Sequence, residues 1–137
     1  MIILGIDPGT TRIGWAVLKA TKNNVKPIDY GCWETNKTTQ GQRLLKISKN
    51  LNQAIKEHQP SIVAIEKVFF FKNAKTVMSV SEAIGVIILT LEKNHLPYIE
   101  LTPLEIKRNL IGYGRADKKD VQKTIQCFFS LEVMPKP

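Results

Sequence analysis

The sequence predicts an α/β fold: a mixed five-stranded sheet, three antiparallel strands followed by two parallel ones, flanked by helices. Three observations carry that reading. The first third of the chain holds three strand-like runs separated by turn signals. From Gln42 onward the apolar spacing switches to a helical period, and helices then alternate with short strands. Two runs, Ile2–Ile6 and Ile62–Ile65, are apolar throughout, the pattern of strands buried on both faces.

Ile2–Ile6 is the first strand and ends in Asp7-Pro8-Gly9-Thr10-Thr11. Pro8 has no N–H for a ladder and Gly9 tolerates unusual backbone angles, so a tight turn follows. Ile13–Lys19 is rich in β-branched and aromatic residues and forms a second strand, closed by the turn Lys22-Asn23-Asn24. Val25–Glu34 is a third strand; Pro27 and Gly31 weaken it and place it at an edge. Between Gln42 and His58, the residues Leu44, Ile47, Leu51, Ala54 and Ile55 mark one face of a helix that Pro60 closes. Ser61–Val68 contains the second wholly apolar strand, which ends in Glu66. Lys75–Asn94 is a long helix with a wide apolar face, on which the small residues Ser79, Ser81 and Gly85 admit the close approach of another helix. Pro97–Leu101 is the last strand. Thr102, Pro103 and Glu105 have the spacing of an N-cap, a first-turn proline and a capping-box partner. Gly112-Tyr113-Gly114 ends that helix, and Ala116 or Asp117 opens the next, with Val121, Ile125 and Phe128 on one side. The order is βββ-α-β-α-β-α-α.

The chain carries 20 Lys+Arg against 12 Asp+Glu, a net charge of +8 in 137 residues. A small domain this basic points to a polyanionic partner, nucleic acid first among them. Its size is that of one domain. Cys32 and Cys127 are too few for a disulfide framework and are read as small buried hydrophobes in a reducing, cytoplasmic setting. Met1–Leu4 runs into Gly5 and Asp7 without the basic start of a signal peptide. Val86–Leu91, the longest strongly apolar stretch, is far too short to span a membrane.

Asp7 and Glu66 each end a buried strand. If those strands are parallel neighbours, both acids emerge at the edge where open α/β sheets place their ligands. Two carboxylates so close repel unless one is protonated or a cation lies between them. Oxygen donors with no Cys/His cluster beside them suit Mg²⁺ or Mn²⁺ rather than zinc. The plainer alternative is that Asp7 caps its own turn and Glu66 pairs with a lysine such as Lys67. His58 and His95 have no ligand spacing.

Two further stretches point to nucleic acid. Phe69-Phe70-Phe71 follows Glu66, and alternation along an extended segment keeps three consecutive rings from all entering one core. An exposed ring beside Lys72-Asn73 can stack on bases. Lys107–Lys119 holds Lys107, Arg108, Arg115, Lys118 and Lys119 against Asp117 alone, bent by Gly112 and Gly114. It reads as a phosphate-gripping loop, or more plainly as a solvated charged surface.

Four segments together resemble one known family. Ile3-Leu4-Gly5-Ile6-Asp7-Pro8-Gly9-Thr10, Ala64-Ile65-Glu66-Lys67-Val68-Phe69, Lys72-Asn73-Ala74 and Gly112-Tyr113-Gly114-Arg115-Ala116-Asp117-Lys118 closely resemble, in order and spacing, the RuvC family of Holliday-junction resolvases. The resemblance implies an RNase H-like fold and a structure-specific endonuclease. It implies a homodimer, joined through the long helix from Lys75, that nicks opposing strands of a four-way DNA junction and leaves 5′-phosphate and 3′-hydroxyl ends. Two Mg²⁺ ions per subunit are implied, Asp7 holding both and Glu66 one, with Mn²⁺ as the alternative ion. Phe69 matches the family's junction-stacking aromatic, and Lys107 and Lys118 match its DNA-backbone lysines. Lys72, Asn73, Arg115 and Lys119 join them as expected DNA contacts. A branch-migration complex of the RuvA and RuvB type is the implied partner.

The family places two further acidic ligands on a C-terminal helix, where this sequence reads Met134-Pro135-Lys136-Pro137. The expectation is one RNase H-like nuclease domain over residues 1–137 that lacks its catalytic C-terminal helix and cleaves poorly. Two other readings compete. Gly5–Thr11 also resembles the first phosphate loop of actin-like ATPases, though no second such loop follows. A non-catalytic junction-binding module would keep the two acids without using them.

Overall fold

The computed structural model describes residues 1–35, 38–68, 74–112 and 117–132. Its elements are β1 (Ile2–Asp7), β2 (Arg12–Ala20), β3 (Val25–Glu34), α1 (Gln40–His58), β4 (Ile62–Glu66), α2 (Ala74–Lys93), β5 (Tyr98–Leu101), α3 (Pro103–Ile111) and α4 (Lys118–Phe128). The five strands form one sheet in the order β3-β2-β1-β4-β5. Both β1–β2 and β2–β3 are antiparallel, and β1–β4 is parallel. The two wholly apolar strands, β1 and β4, are thus central, as their composition requires. The expected edge strand, β3, is an edge. Pro27 cannot donate to the ladder, and there the register slips: Val17 faces Asp29 while Leu18 faces Pro27, leaving Ile28 as the extra residue of a bulge.

The chain divides into two compact units, Met1–Glu100 and Leu101–Pro137. In the first, one sheet face packs against α1 and α2. Leu4, Val17, Val63 and Ile65 from the sheet meet Leu51 of α1 and Ile87 of α2, all fully buried. Polar pairs join the two helices along their length. Gln40 Nε2 donates to Ser79 Oγ (3.2 Å), the hydroxyls of Ser48 and Thr90 lie 2.9 Å apart, and Asn94 Nδ2 donates to Asn52 Oδ1 (2.8 Å). Residue numbers rise together on both helices, so α1 and α2 run in the same direction. At the edge of the sheet, Trp15 stacks on Trp33 with ring centroids 5.7 Å apart. His58, the last residue of α1, places its Nε2 3.3 Å from Asp29 Oδ2 and closes that edge. At the opposite side, Val63 N–H donates to the Pro97 carbonyl (3.0 Å) and ties the start of β5 to β4.

The second unit holds α3 and α4, and local sequence explains both starts. Thr102 caps α3 reciprocally with Glu105, and Gly112 ends it with φ +92°, the left-handed conformation glycine allows. Asp117, rather than Ala116, caps α4 reciprocally with Asp120.

Two expectations are corrected. The first helix starts at Gln40, not Gln42, because Thr39 is its N-cap and Gln42 is the third helical residue, whose side chain bonds back to the cap. Cys32 and Cys127 are exposed, not buried. Their apolar neighbours in sequence are not their neighbours in space. Cys32 sits on the edge strand, covered from one side only, and Cys127 is on the open side of α4. Among the described residues no helix is long and apolar enough to cross a membrane.

Candidate active site

The register of β1 and β4 assembles the site. Ile3 pairs with Ile62, Leu4 with Val63, Gly5 with Ala64 and Ile6 with Ile65. One step further along both strands lie Asp7 and Glu66, their last residues. Alternation fixes which way they face. Leu4, Ile6, Val63 and Ile65 are buried on the helix-covered side, so Asp7 and Glu66 share the other face. Adjacent strands lie about 4.8 Å apart, which brings the two carboxylates side by side. Asp7 is exposed and Glu66 half-buried.

The turn after Asp7 is braced from β3. Thr35 is fully buried. Its N–H donates to the Thr11 carbonyl (2.9 Å) and its hydroxyl to the Thr10 carbonyl (3.3 Å). A Cβ on Gly9 would collide with the Arg12 carbonyl oxygen, so only glycine lets the turn close this tightly. Pro8 is buried beneath it. On the β2 side Asp7 faces Gly14. A Cβ there would lie 3.5 Å from Asp7 Cβ and 3.8 Å from Asp7 Oδ2. The missing side chain leaves that flank of the carboxylate open. Neither Gly14 nor Thr35 is singled out by the sequence. A glycine inside a strand is the one available signal for the first.

Two hard carboxylate donors suit a hard divalent cation. Mg²⁺ is commonly held by one or two carboxylates and keeps several waters. Among the described residues no group of three or more His, Cys, Asp or Glu gathers for a metal; the Asp7–Glu66 pair could offer two carboxylate donors. It fits one such ion.

Residues 3–137 match the family model described as "Crossover junction endodeoxyribonuclease RuvC". The chain belongs to the RuvC family. A curated RuvC of Desulfitobacterium hafniense is 42% identical over the whole of this chain and 84% of its own length. That of Petrotoga mobilis is 46% identical over the whole of this chain and 85% of its own. Among solved structures, Thermus thermophilus RuvC in complex with a Holliday junction substrate superposes with a TM-score of 0.91 at 24% identity, covering all of this chain and 84% of that one. At that identity the likeness speaks for the fold, which is RNase H-like.

The other RuvC-like residues expected from sequence divide into two groups. Phe69, Lys72, Asn73 and Arg115 lie outside the described residues. Lys107, Lys118 and Lys119 belong to the second unit. Lys107 is half-buried on α3, and Lys118 and Lys119 are exposed in the first turn of α4. The cap of that helix is anionic. The Asp120 N–H donates to Asp117 Oδ1 at 2.8 Å and, as the largest cause, holds the Asp117 carboxyl below its usual range.

Proposed function

We propose that this chain is a divalent-metal-dependent endonuclease that resolves four-way DNA junctions in recombination and repair by nicking opposing strands symmetrically. The observation that carries the reading is the Asp7–Glu66 pair, in register at the ends of adjacent parallel strands, in a member of a family whose relatives are named crossover junction endodeoxyribonucleases. Hydrolysis forms a bond from a water oxygen to phosphorus and breaks the bond from phosphorus to the 3′ oxygen. The products are a 5′-phosphate and a 3′-hydroxyl. When bound, Mg²⁺, or Mn²⁺ in its place, polarises the phosphoryl oxygen and favours ionisation of the attacking water. Asp7 and Glu66 would hold the cation at the sheet edge, and the open flank over Gly14 leaves room for the phosphodiester. In the two-ion arrangement that the family resemblance implies, Asp7 would serve both ions and Glu66 one. The second ion needs more carboxylates than this pair supplies, so we expect slow cleavage by the chain as it stands.

The DNA contacts assigned to this reading are Phe69 by stacking, and Lys72, Asn73, Lys107, Arg115, Lys118 and Lys119 by phosphate and backbone contacts. Net charge supports them: +8 overall favours phosphate binding and makes it salt-dependent. The homodimer is assigned to α2. Val77, Val80, Ala83 and Ile87 of α2 are buried within the fold, whereas Met78 and Leu89 are 69% and 55% exposed. Gly85 lies between them along the helix with nothing within 4 Å of where a Cβ would stand. That stripe is open to a second copy. A branch-migration complex of the RuvA and RuvB type, in the cytoplasm, is the partner that fits a junction-cutting dimer.

Junction binding is tested first, by gel shift with metal chelated and linear duplex of the same sequence as competitor. Selective recognition predicts that the junction complex survives a large duplex excess; equal competition would reduce the chain to a generic basic DNA binder. Cleavage of the junction is then compared for the parent and Asp7→Asn in Mg²⁺ and Mn²⁺. The variant should lose more than the roughly 10–100-fold typical of an outer-shell metal partner while still binding DNA. Equal cleavage by the two proteins would defeat the assignment of Asp7.

A further inference from the structure

The face that carries Asp7 and Glu66 continues across β2 and β3. Asp7 pairs with Gly14, and Gly14 pairs with Cys32. Paired residues share a face, so Glu66, Asp7, Gly14 and Cys32 form a row over four strands. Arg12 and Glu34, two residues along β2 and β3, are also paired and point the same way. The row is acidic at one end and open over Gly14, where a side chain would meet only Asp7 among the described residues. Beside it, two residues before Gly14 on β2, stands a cation. Arg12 is 63% exposed and touches Glu34, itself 57% exposed, at 3.6 Å. Its neighbours Cys32, through a side-chain hydrogen bond, and Glu34, through its charge, push the Arg12 guanidinium above its ordinary value.

We propose that the strip from Gly14 to Cys32 and Arg12 seats a backbone phosphate of the same DNA strand whose neighbouring phosphodiester lies at Asp7 and Glu66. This rests on the nuclease reading above. Three features support it. Two carboxylates repel an approaching polyanion, and a cation one strand over and two residues along from Asp7, roughly 8 Å between backbones, offsets that repulsion without sitting among the metal ligands. An arginine presents a planar fork that matches phosphate with two parallel hydrogen bonds. Its present partner is an exposed carboxylate at a long distance, the weak kind of ion pair that a phosphate displaces. Glu34 then acts as a placeholder that keeps Arg12 laid over Cys32 when DNA is absent.

The test uses the full chain with metal chelated, so cleavage does not enter. Junction affinity is measured against salt for the parent, Glu34→Gln, Arg12→Lys and the double variant Arg12→Ala/Glu34→Gln. The double variant removes both members, so a bare Glu34 cannot mimic a lost contact. Loss of one phosphate contact should lower the slope of log affinity against log salt by about 0.9. Arg12→Lys should restore the slope, and Glu34→Gln should tighten binding by freeing the arginine. In parallel, alkylation of Cys32 by iodoacetamide is followed by peptide mass spectrometry. Junction DNA should slow it several-fold in the parent and much less in the double variant. Unchanged slope in the double variant, or Cys32 alkylated equally fast with and without junction DNA, overturns the proposal while leaving junction selectivity of the parent intact. A parent without junction selectivity brings down the nuclease reading and this one together.

Discussion

Asp7 and Glu66 stand at the same level of two adjacent parallel strands, one step beyond the Ile6–Ile65 pair, and face away from the helix-packed side of the sheet. Like charges on neighbouring strands are destabilising, by about 0.2–1 kcal/mol for directly opposite pairs. Metal-free Asp7→Asn should therefore melt higher than the parent, by up to a few degrees. Added Mg²⁺ should raise the parent's melting temperature, because a ligand of the folded state stabilises it, and should raise the variant's much less. Thermal melts with and without chelator check this. A variant that melts lower, or that gains as much from Mg²⁺, would show that the pair is not a cation site.

Gly9 and Gly14 both follow Asp7 in sequence but differ in what surrounds them. A methyl group on Gly9 collides with the Arg12 carbonyl, a backbone atom that cannot swing aside, whereas one on Gly14 meets Asp7 at ordinary contact distance. Gly9→Ala should cost about 1–3 kcal/mol, the usual range for overpacking, and should displace the turn that follows Asp7. Gly14→Ala should leave stability within about 1 kcal/mol, the span of strand preferences. Urea melts of the two variants give the comparison.

Gly85 offers a test of the dimer that spares the fold. The space over it is empty, so Gly85→Arg adds a long cation to the exposed stripe of α2 without entering the core. Replacing a mid-helix glycine also removes a helix penalty of roughly 1 kcal/mol. The variant should be monomeric by sedimentation at concentrations where the parent is a dimer, with an unchanged or higher melting temperature. A variant that remains dimeric would move the interface off this stripe.

The α4 cap carries a pH dependence of defined sign. Asp117 has a folded-state pKa below its ordinary 3.8, chiefly because the Asp120 N–H donates to it. The unfolded chain therefore binds the proton more readily. The stabilisation is fully present above the ordinary value and is lost as pH falls through the lower folded one. Asp117→Asn keeps a capping side chain but no titrating group. The difference in stability between parent and variant should shrink as pH is lowered from 5 to 2, as followed by urea melts at each pH. A difference that is flat over this range would remove Asp117 from the acid response.

Much of this architecture was legible without coordinates, where the physics is local. Apolar runs without alternation marked β1 and β4 as central. Pro27 and Gly31 marked β3 as an edge. Thr102 with Glu105 marked the start of α3, and the four motif segments marked the family. Each signal depends on a few consecutive residues and on backbone chemistry that acts over one turn. Even there, the start of α1 shifted to Gln40 because the Thr39–Gln42 capping box outweighed the apolar spacing.

Tertiary structure alone decided what pairing and packing bring together. That Asp7 and Glu66 are level, and not offset by a residue, depends on the β1–β4 register. A one-residue slip would send one of them to the opposite face. Thr35 reaches the Thr10 and Thr11 carbonyls only because β3 returns beside β2. His58 finds Asp29 across 29 positions of sequence, since α1 ends over the sheet edge. The exposure of Cys32 and Cys127 follows the same rule: burial is set by what lies across a face, and a chain read in order shows only what lies along it.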